Sequence, residues 1–409
     1  MERKSGLASE REALDDEARA AHHVDLLRKT VEVCWETGGL YREKLEQAGV
    51  KPGDVNDLGA LARIPVTTKS EAQAARAGLG TFPLVEAKRI FVSPGPNFYA
   101  SHRRADPPPK RGETPLAFAF HAMGFRENDI VLNTFSYHLS PGGFGLEEQL
   151  NTAGCAVVPA GPQNTEVQAE ILAKLPVTGY VGTPTFLRIL CDKATERGED
   201  PRGDWSLEVA FVTAEKLTED ARADLEARTG AMVRQVYGSA DGLLPAYECW
   251  ANAGMHLHPD QIFEVLGDDG APADRGQVVA TLPNANRPLL RFANGDVVEL
   301  RDDPCPCGRT GARIASFVGR TDSATKVRGM FVYPEQVGQV MARFTGAPWQ
   351  VVVARAPDGS DDLAVRVEAT VDAGAIAGAL KDAIRLRTRV EPVAPGTIPS
   401  GAPPLVDER

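Results

Sequence analysis

Cysteine is scarce, with six residues in a chain of 409, too few for a disulfide-stapled secreted scaffold. Cys34, Cys155 and Cys191 stand alone in apolar surroundings, so each is expected to be a small buried residue in a reducing compartment. Long apolar runs are missing too. None approaches the roughly 18 residues that cross a bilayer, and Met1-Glu2-Arg3-Lys4 through Asp15-Asp16-Glu17 lacks the apolar stretch of a secretion signal. No membrane partner is therefore expected, and the expected location is the cytoplasm. Positive charge is in deficit: a net charge of −11 argues against nucleic acid or an anionic membrane as partner, since either needs a basic field. What remains, 43% hydrophobic and 25% charged residues, is the balance of a globular chain. Its length predicts at least two domains.

The texture along the chain suggests how those domains are laid out. Residues 1–60 form a helical leading segment, with Val24, Leu27, Val31 and Val33 at helical spacing. Pro65-Val66-Thr67-Thr68-Lys69 reads as a strand or loop entering another helix. The proline-rich stretch from Asn97 to Glu113 is expected to be an irregular, mobile surface loop. From 115 to about 240, short apolar runs alternate with helical patterns. Ile130-Val131-Leu132, Ala156-Val157-Val158, Glu208 to Val212 and Val233 to Tyr237 read as buried strands. Val167, Ile171, Leu172 and Leu175 read as one helix face, and Thr218 as an N-cap. Such alternation predicts a parallel sheet with helices on its faces and functional groups where strands end. Residues from about 250 to 318 turn to strands and form a β-rich subdomain. After Arg320 a small α/β unit follows, with a strand at Met330 to Tyr333, a helix opened by Pro334, and another over Ala373 to Leu386. The expected division is 1–319 and 320–409, with an α/β fold in both parts.

Four short signals stand in order in the last third. They are Tyr237-Gly238-Ser239-Ala240-Asp241, Arg291-Phe292-Ala293-Asn294-Gly295-Asp296, Cys305-Pro306-Cys307-Gly308-Arg309, and Gly319-Arg320-Thr321-Asp322 leading to Lys326-Val327-Arg328-Gly329. Each has an ordinary reading when taken alone. The first is a Gly-Ser turn, the second an Asn-Gly hairpin between Leu289–Phe292 and Val297–Leu300, and a lone Lys326 is a solvated charge. In this order and spacing they resemble the phenylacetate–CoA ligase family of adenylate-forming enzymes.

That resemblance implies ATP-dependent, AMP-forming activation of an aryl or small carboxylic acid, followed by transfer to CoA. It implies a large N-terminal domain of parallel sheets with flanking helices and a β subdomain, plus a small mobile C-terminal lid. Tyr237, Gly238 and Ser239 would face the nucleotide phosphate, Asp241 would hold Mg²⁺, and Asp296 would take both ribose hydroxyls. Ala214, Glu215 and Lys216 would line the adenine, Arg320 would lie at the hinge, and Lys326 would serve the thioester-forming half-reaction. Phe135, Tyr137, His138, Gly142, Gly143, Tyr180 and Thr183 would line the acid pocket, with the glycines admitting a flat ring, Tyr137 stacking on it and His138 steadying the carboxylate. The partner would be a small, aromatic acid with CoA, an amine or a carrier protein as acceptor, and a homodimer stays open.

A metal is also expected. Cys249, His256, Cys305 and Cys307 could furnish a tetrahedral structural Zn²⁺, with His258 as the competing fourth ligand. A disulfide is the alternative pairing of these cysteines.

Two family features are altered. The only candidate phosphate loop, Val92-Ser93-Pro94-Gly95-Pro96-Asn97, has two prolines that remove backbone donors; Arg103, Arg104, Lys110 or Arg111 could replace its cation. The family's C-terminal lysine falls on Ala402, Pro403 or Pro404, and no lysine follows Lys381. A relative that binds nucleotide or acyl-adenylate without efficient turnover is the alternative expectation.

Overall fold

The computed structural model describes residues 3–76, 80–93, 97–107, 110, 114–239, 246–267, 269–320, 325–328, 330–332, 334–357 and 359–409. The chain divides into two compact units, Met1–Gly319 and Arg320–Arg409.

In the large unit, strands Ala156–Pro159, Ile130–Asn133, Gly179–Gly182, Val209–Val212 and Met232–Tyr237 lie side by side and parallel in that order. Strand side chains alternate between faces, and Val209–Val212 puts this to use. Val209 and Phe211 enter a core with Phe120, Val131 and Leu146. Ala210 and Val212 enter a second core with Leu172, Leu187 and Leu225. Helices cover both faces, so the run must be apolar at every position, and all four residues are buried.

The sheet does not stop at Tyr237. It continues, largely antiparallel, through Ala246–Tyr247, Met255–Leu257, Arg313–Arg320, Leu289–Arg301, Arg275–Leu282 and Ile262–Leu266, as one 12-stranded sheet. The β-rich segment is thereby hydrogen-bonded to the strand that ends at Tyr237. The leading segment folds as Asp16–Thr37 and Gly39–Gln47, and Leu27, Val31 and Cys34 pack against Ile262, Leu290 and Phe292.

Several local expectations are corrected. Ala156–Pro159 is the sheet's edge strand and half-exposed, because only one neighbour covers it. On helix Thr165–Lys174 the buried face is Gln168, Ala169 and Leu172, while Val167 and Leu175 are exposed. The Asn97–Glu113 stretch opens with a strand, Asn97–Ala100, paired to Ile90–Ser93. The proposed Asn-Gly hairpin is absent: Leu289–Arg301 is one continuous strand. Ala293 pairs with Val279 and Val297 with Gln277, so Asn294, Gly295 and Asp296 bulge opposite Val278.

The small unit carries a 4-stranded sheet in the order Arg389–Pro392, Asp361–Val367, Trp349–Arg355, Leu405–Asp407. Helices Pro334–Met341 and Ala373–Ile384 close its core of Val337, Val351, Val365, Ile376 and Leu380.

Candidate functional site

The bulge determines the geometry of the site. A bulge breaks the alternation of a strand and re-aims the side chains within it. Gly295 takes the left-handed conformation this needs, at φ 89°. Asp296 Oδ2 then accepts from the Tyr237 hydroxyl at 2.7 Å and from Asn294 Nδ2 at 2.9 Å. Asn294 Nδ2 also donates to the Tyr237 oxygen at 2.6 Å, and Asn294 Oδ1 accepts from the Asp296 N–H at 3.1 Å. The Tyr237 ring lies 4.7 Å from that of Phe317, on the strand Arg313–Arg320. Sequence reasoning found Tyr237 and Asp296 but missed Asn294 and Phe317. Asn294 sits two positions before Asp296 and was read only as a turn residue.

Gly238 and Ser239 follow Tyr237 at the same strand end and are half-buried. The Ser239 hydroxyl is buried with no hydrogen-bond partner among the described residues. An unsatisfied buried hydroxyl costs stability, so its persistence at a strand end suits a ligand acceptor. Asp241 lies outside the described residues. One strand over, Ala214 is held at φ 76°, a conformation non-glycine residues avoid. Glu215 there reaches the start of helix Pro184–Glu196, its Oε2 accepting from Thr185 N at 3.3 Å, while its carbonyl accepts from Gln235 Nε2 at 3.0 Å. Lys216 is exposed. Tyr237, Ala214 and Thr183 thus stand at the carboxyl ends of neighbouring parallel strands, where crevices of such sheets open.

The expected acid pocket is more mixed. Phe135 and Tyr137 follow Ile130–Asn133, and the Tyr137 ring meets Phe144 edge-on at 5.1 Å. The Tyr137 hydroxyl accepts from Asn133 Nδ2 at 2.8 Å. Burial and then Glu147 push its pKa well above the usual tyrosine value, so it stays neutral. The glycines also bear on local packing. A Cβ at Gly143 would lie 2.6 Å from the Ser136 carbonyl oxygen, and one at Gly142 would lie 3.5 Å from Phe135. Gly143 therefore lets the helix Gly142–Thr152 seat against its own loop, whereas a Cβ at Gly142 would make only ordinary van der Waals contact. Tyr180 is fully buried, its hydroxyl bonded to Thr134 Oγ1 at 3.2 Å and to the Thr183 carbonyl at 2.9 Å. It is therefore a core residue beneath the crevice and offers a ligand no surface. Thr183 caps helix Pro184–Glu196 by accepting from Phe186 N at 3.1 Å. His138 is exposed.

Pro94–Pro96, the tip of the candidate phosphate loop, lies outside the described residues, as does Arg111. Of its suggested replacement cations, Arg103 pairs with Glu86 and Arg104 donates to the Val85 carbonyl at 2.6 Å. In the small unit, Lys326 lies on a hairpin, Thr325–Val327 against Met330–Val332. Arg409 donates to its carbonyl at 2.8 Å and to Thr325 Oγ1 at 3.0 Å. The side chain of Arg320 lies outside the described residues.

The metal ligands converge. One ligand atom from each of Cys249, His256, Cys305 and Cys307 lies within 4.8 Å of all the others. The Cys249 and Cys305 sulfurs are 3.8 Å apart, and Cys307 Sγ is 3.3 Å from His256 Nε2. With Zn–S near 2.3 Å and Zn–N near 2.0 Å, a tetrahedron has edges of roughly 3.5–3.8 Å, so the donor set fits zinc. All six cysteines are free thiols, which removes the disulfide alternative. His258 is excluded as the ligand: its Nε2 faces the Pro115 carbonyl at 2.9 Å and its Nδ1 accepts from Asp260 N at 3.1 Å. Cys249 and then His256 pull the Cys307 thiol far below its usual pKa, so one thiolate is already favoured within the group.

Among the described residues no helix is long and apolar enough to cross a membrane. No family model matches the chain. The fold is shared with a crystal structure of 2-hydroxyisobutyryl-CoA ligase in complex with 2-HIB-AMP and CoA. The TM-score is 0.86 at 22% identity, covering 98% of this chain and 92% of that one. It is shared more loosely with the amide bond synthetase McbA from Marinactinospora thermotolerans, at TM-score 0.55 and 19% identity over 70% of this chain and 62% of that one. A phenylacetate-coenzyme A ligase of Aromatoleum evansii is 28% identical over 378 residues, covering 88% of this chain and 84% of its own. A phenylacetate-coenzyme A ligase of Thermus thermophilus is 30% identical over 373 residues, 88% of this chain and 83% of its own. On that breadth of likeness, the chain belongs to the phenylacetate–CoA ligase family.

Proposed function

We propose that this chain activates a small carboxylic acid with ATP and transfers the acyl group to CoA. A carboxylate oxygen attacks the α-phosphorus, and the bond to the departing pyrophosphate breaks. The CoA sulfur then attacks the acyl carbon, the acyl–phosphate bond breaks, and AMP leaves. The observation that carries this reading is the Tyr237–Asn294–Asp296 triad backed by Phe317, a carboxylate held rigidly at a strand end. Its role would be to accept the ribose hydroxyls.

In this reading Ser239 donates its hydroxyl to the phosphate, and Asp241 holds Mg²⁺, which neutralises phosphate charge. Ala214, Glu215 and Lys216 border the adenine, and Lys326 serves the thioester-forming step. An aromatic acid is favoured by the ring cluster of Phe91, Tyr137 and Phe144 beside the loop at Phe135. The cysteine–histidine group holds one structural Zn²⁺ and takes no part in the reaction.

The test is incubation with ATP, Mg²⁺, CoA and a panel of aryl and short aliphatic acids, with mass detection of acyl-CoA and AMP. Acid-dependent formation of both supports the reading. AMP without thioester would redirect it to an amine or carrier-protein acceptor.

A second reading, a nucleotide-binding relative with weak turnover, is favoured by one local feature. Where the family places its C-terminal lysine, this chain has backbone tied into the small sheet. The Pro403 carbonyl accepts from Gln350 Nε2 at 2.9 Å and the Pro404 carbonyl from Val351 N at 2.9 Å. Tight AMP binding with neither product would select it.

A further inference from the structure

The metal group has a set of neighbours that neither the reaction nor the fold of the sheet requires. Residues 5–14 cross the surface as a strap, and its polar contacts fall on residues beside the cysteine ligands. Next to Cys249, the Trp250 indole N–H donates to the Ser5 carbonyl at 3.1 Å. Two residues before Cys249, the Tyr247 hydroxyl donates to Glu12 Oε1 at 2.8 Å. Two residues after Cys307, Arg309 Nε donates to the same oxygen at 2.6 Å and Nη2 to the Gly6 carbonyl at 3.0 Å. Thr310 completes the row, its N–H donating to the Glu12 carbonyl at 3.0 Å and its hydroxyl to the Leu14 carbonyl at 2.6 Å.

Glu12 is the centre of this arrangement. Its side chain and that of Arg309 are each 1% exposed. Its other oxygen accepts from Ala8 N at 2.5 Å and Ser9 N at 3.3 Å, closing the capping box that shapes the strap. A buried ion pair persists only while both partners are held in register. Arg309 and Thr310 lie between the strands Leu289–Arg301 and Arg313–Arg320, on a segment with no ladder of its own. The covalent reach of Cys305 and Cys307 to a shared ion is what would fix that segment to Cys249 and His256.

We propose that the Cys249–His256–Cys305–Cys307 centre is a clasp: a bound Zn²⁺ fixes the segment carrying Arg309 and Thr310, and that segment holds strap residues 5–14 in place. The proposal rests on the zinc reading above and adds to it a consequence for the strap. Removal of the ion frees the segment, the Glu12–Arg309 pair separates, and the strap leaves the surface. The strap stays attached at its start, where Arg3 pairs with Asp129 at 2.8 Å and donates to the Gly124 carbonyl at 3.0 Å. It also stays attached at the helix Asp16–Thr37.

The test is metal analysis together with hydrogen exchange on the full chain, before and after zinc is stripped with a thiol-blocking mercurial and chelator. The expected result is one zinc per chain. On stripping, amides of residues 5–14 exchange at least about tenfold faster, while Val209–Val212 and the helix Ala373–Ile384 keep their protection. Glu12→Gln tests the link without touching a ligand: it should keep the zinc yet show the faster strap exchange. Absence of zinc from protein expressed and purified with zinc supplied would overturn the metal itself. Zinc present, with strap exchange unchanged either on stripping or in Glu12→Gln, would overturn the clasp alone.

Discussion

Asp296 is a carboxylate whose position is set by neighbours rather than by its own rotamer freedom. Tyr237 and Asn294 both donate to its Oδ2, and the Asn294 carbonyl oxygen of the side chain returns the contact to the Asp296 backbone. Hydrogen bonds to a charged group contribute about 1.5–3 kcal/mol each, so Asp296→Asn should raise the KM for ATP roughly 10- to 100-fold, measured by initial rates of AMP release. Tyr237→Phe leaves the charge in place and removes only one donor, and a rise below tenfold is expected. A wild-type KM in Asp296→Asn would remove the carboxylate from nucleotide binding. Lys326 makes a different prediction. Lys326→Ala should slow thioester formation from supplied acyl-adenylate at least about tenfold while leaving adenylation within twofold, since loss of one positioned cation costs a few kcal/mol. Equal loss of both steps would deny it that role.

At the scale of elements, two contacts hold the crevice edge in shape. A Cβ on Gly182 would lie 2.1 Å from Thr134 Oγ1 and 2.2 Å from the Tyr180 hydroxyl. Gly182→Ala should therefore destabilise the protein by roughly 1–3 kcal/mol, visible as a lowered Tm; an unchanged Tm would mean the edge can relax. Glu148 ties the helix Gly142–Thr152 to Lys88 and His102, which flank the paired strands Ile90–Ser93 and Asn97–Ala100. His102 and then Lys88 hold its carboxyl down at about 2, against an ordinary 4.5. A depressed carboxylate stabilises the fold fully above its unfolded value, and that contribution disappears as pH falls from about 4.5 towards 2. With its side chain 26% exposed, screening reduces the effect to roughly 1 kcal/mol. Glu148→Gln should flatten the decline of Tm over that acid range and lower Tm at neutral pH, and an unaltered acid limb would show that the pair contributes nothing.

The elements also explain what could be read beforehand. Val209–Val212 was legible because a doubly covered strand must be apolar throughout, and the helix Glu219–Thr229 because Thr218 and Gly230 mark its ends. The bulge at Asn294–Asp296 was not, since Asn-Gly is the strongest local hairpin signal and only pairing with Arg275–Leu282 shows that the strand continues. Tyr180 was misassigned for a related reason: a motif gives a residue's neighbourhood but not which side of the strand it faces. The strap contacts lie 235 and 297 residues apart in sequence for Glu12 with Tyr247 and Arg309, a separation at which no local pattern operates.

At the scale of the whole molecule, the parallel and antiparallel halves form one sheet. The strand ending at Tyr237 lies at their junction, paired on one side with Val209–Val212 and on the other with Ala246–Tyr247. Asp296 comes from the antiparallel half and its partner Tyr237 from the parallel half, so their pairing exists only when both are folded together. That arrangement, and family membership, make acyl-adenylate formation the central claim. The altered phosphate loop and the missing C-terminal lysine are the features that most directly oppose it. The decisive measurement is ATP–pyrophosphate exchange with Mg²⁺ and no CoA, across aryl and short aliphatic acids. The account predicts acid-dependent exchange that is abolished in Asp296→Ala. No exchange with any acid, in protein that binds AMP, would contradict it and leave a nucleotide-binding relative in its place.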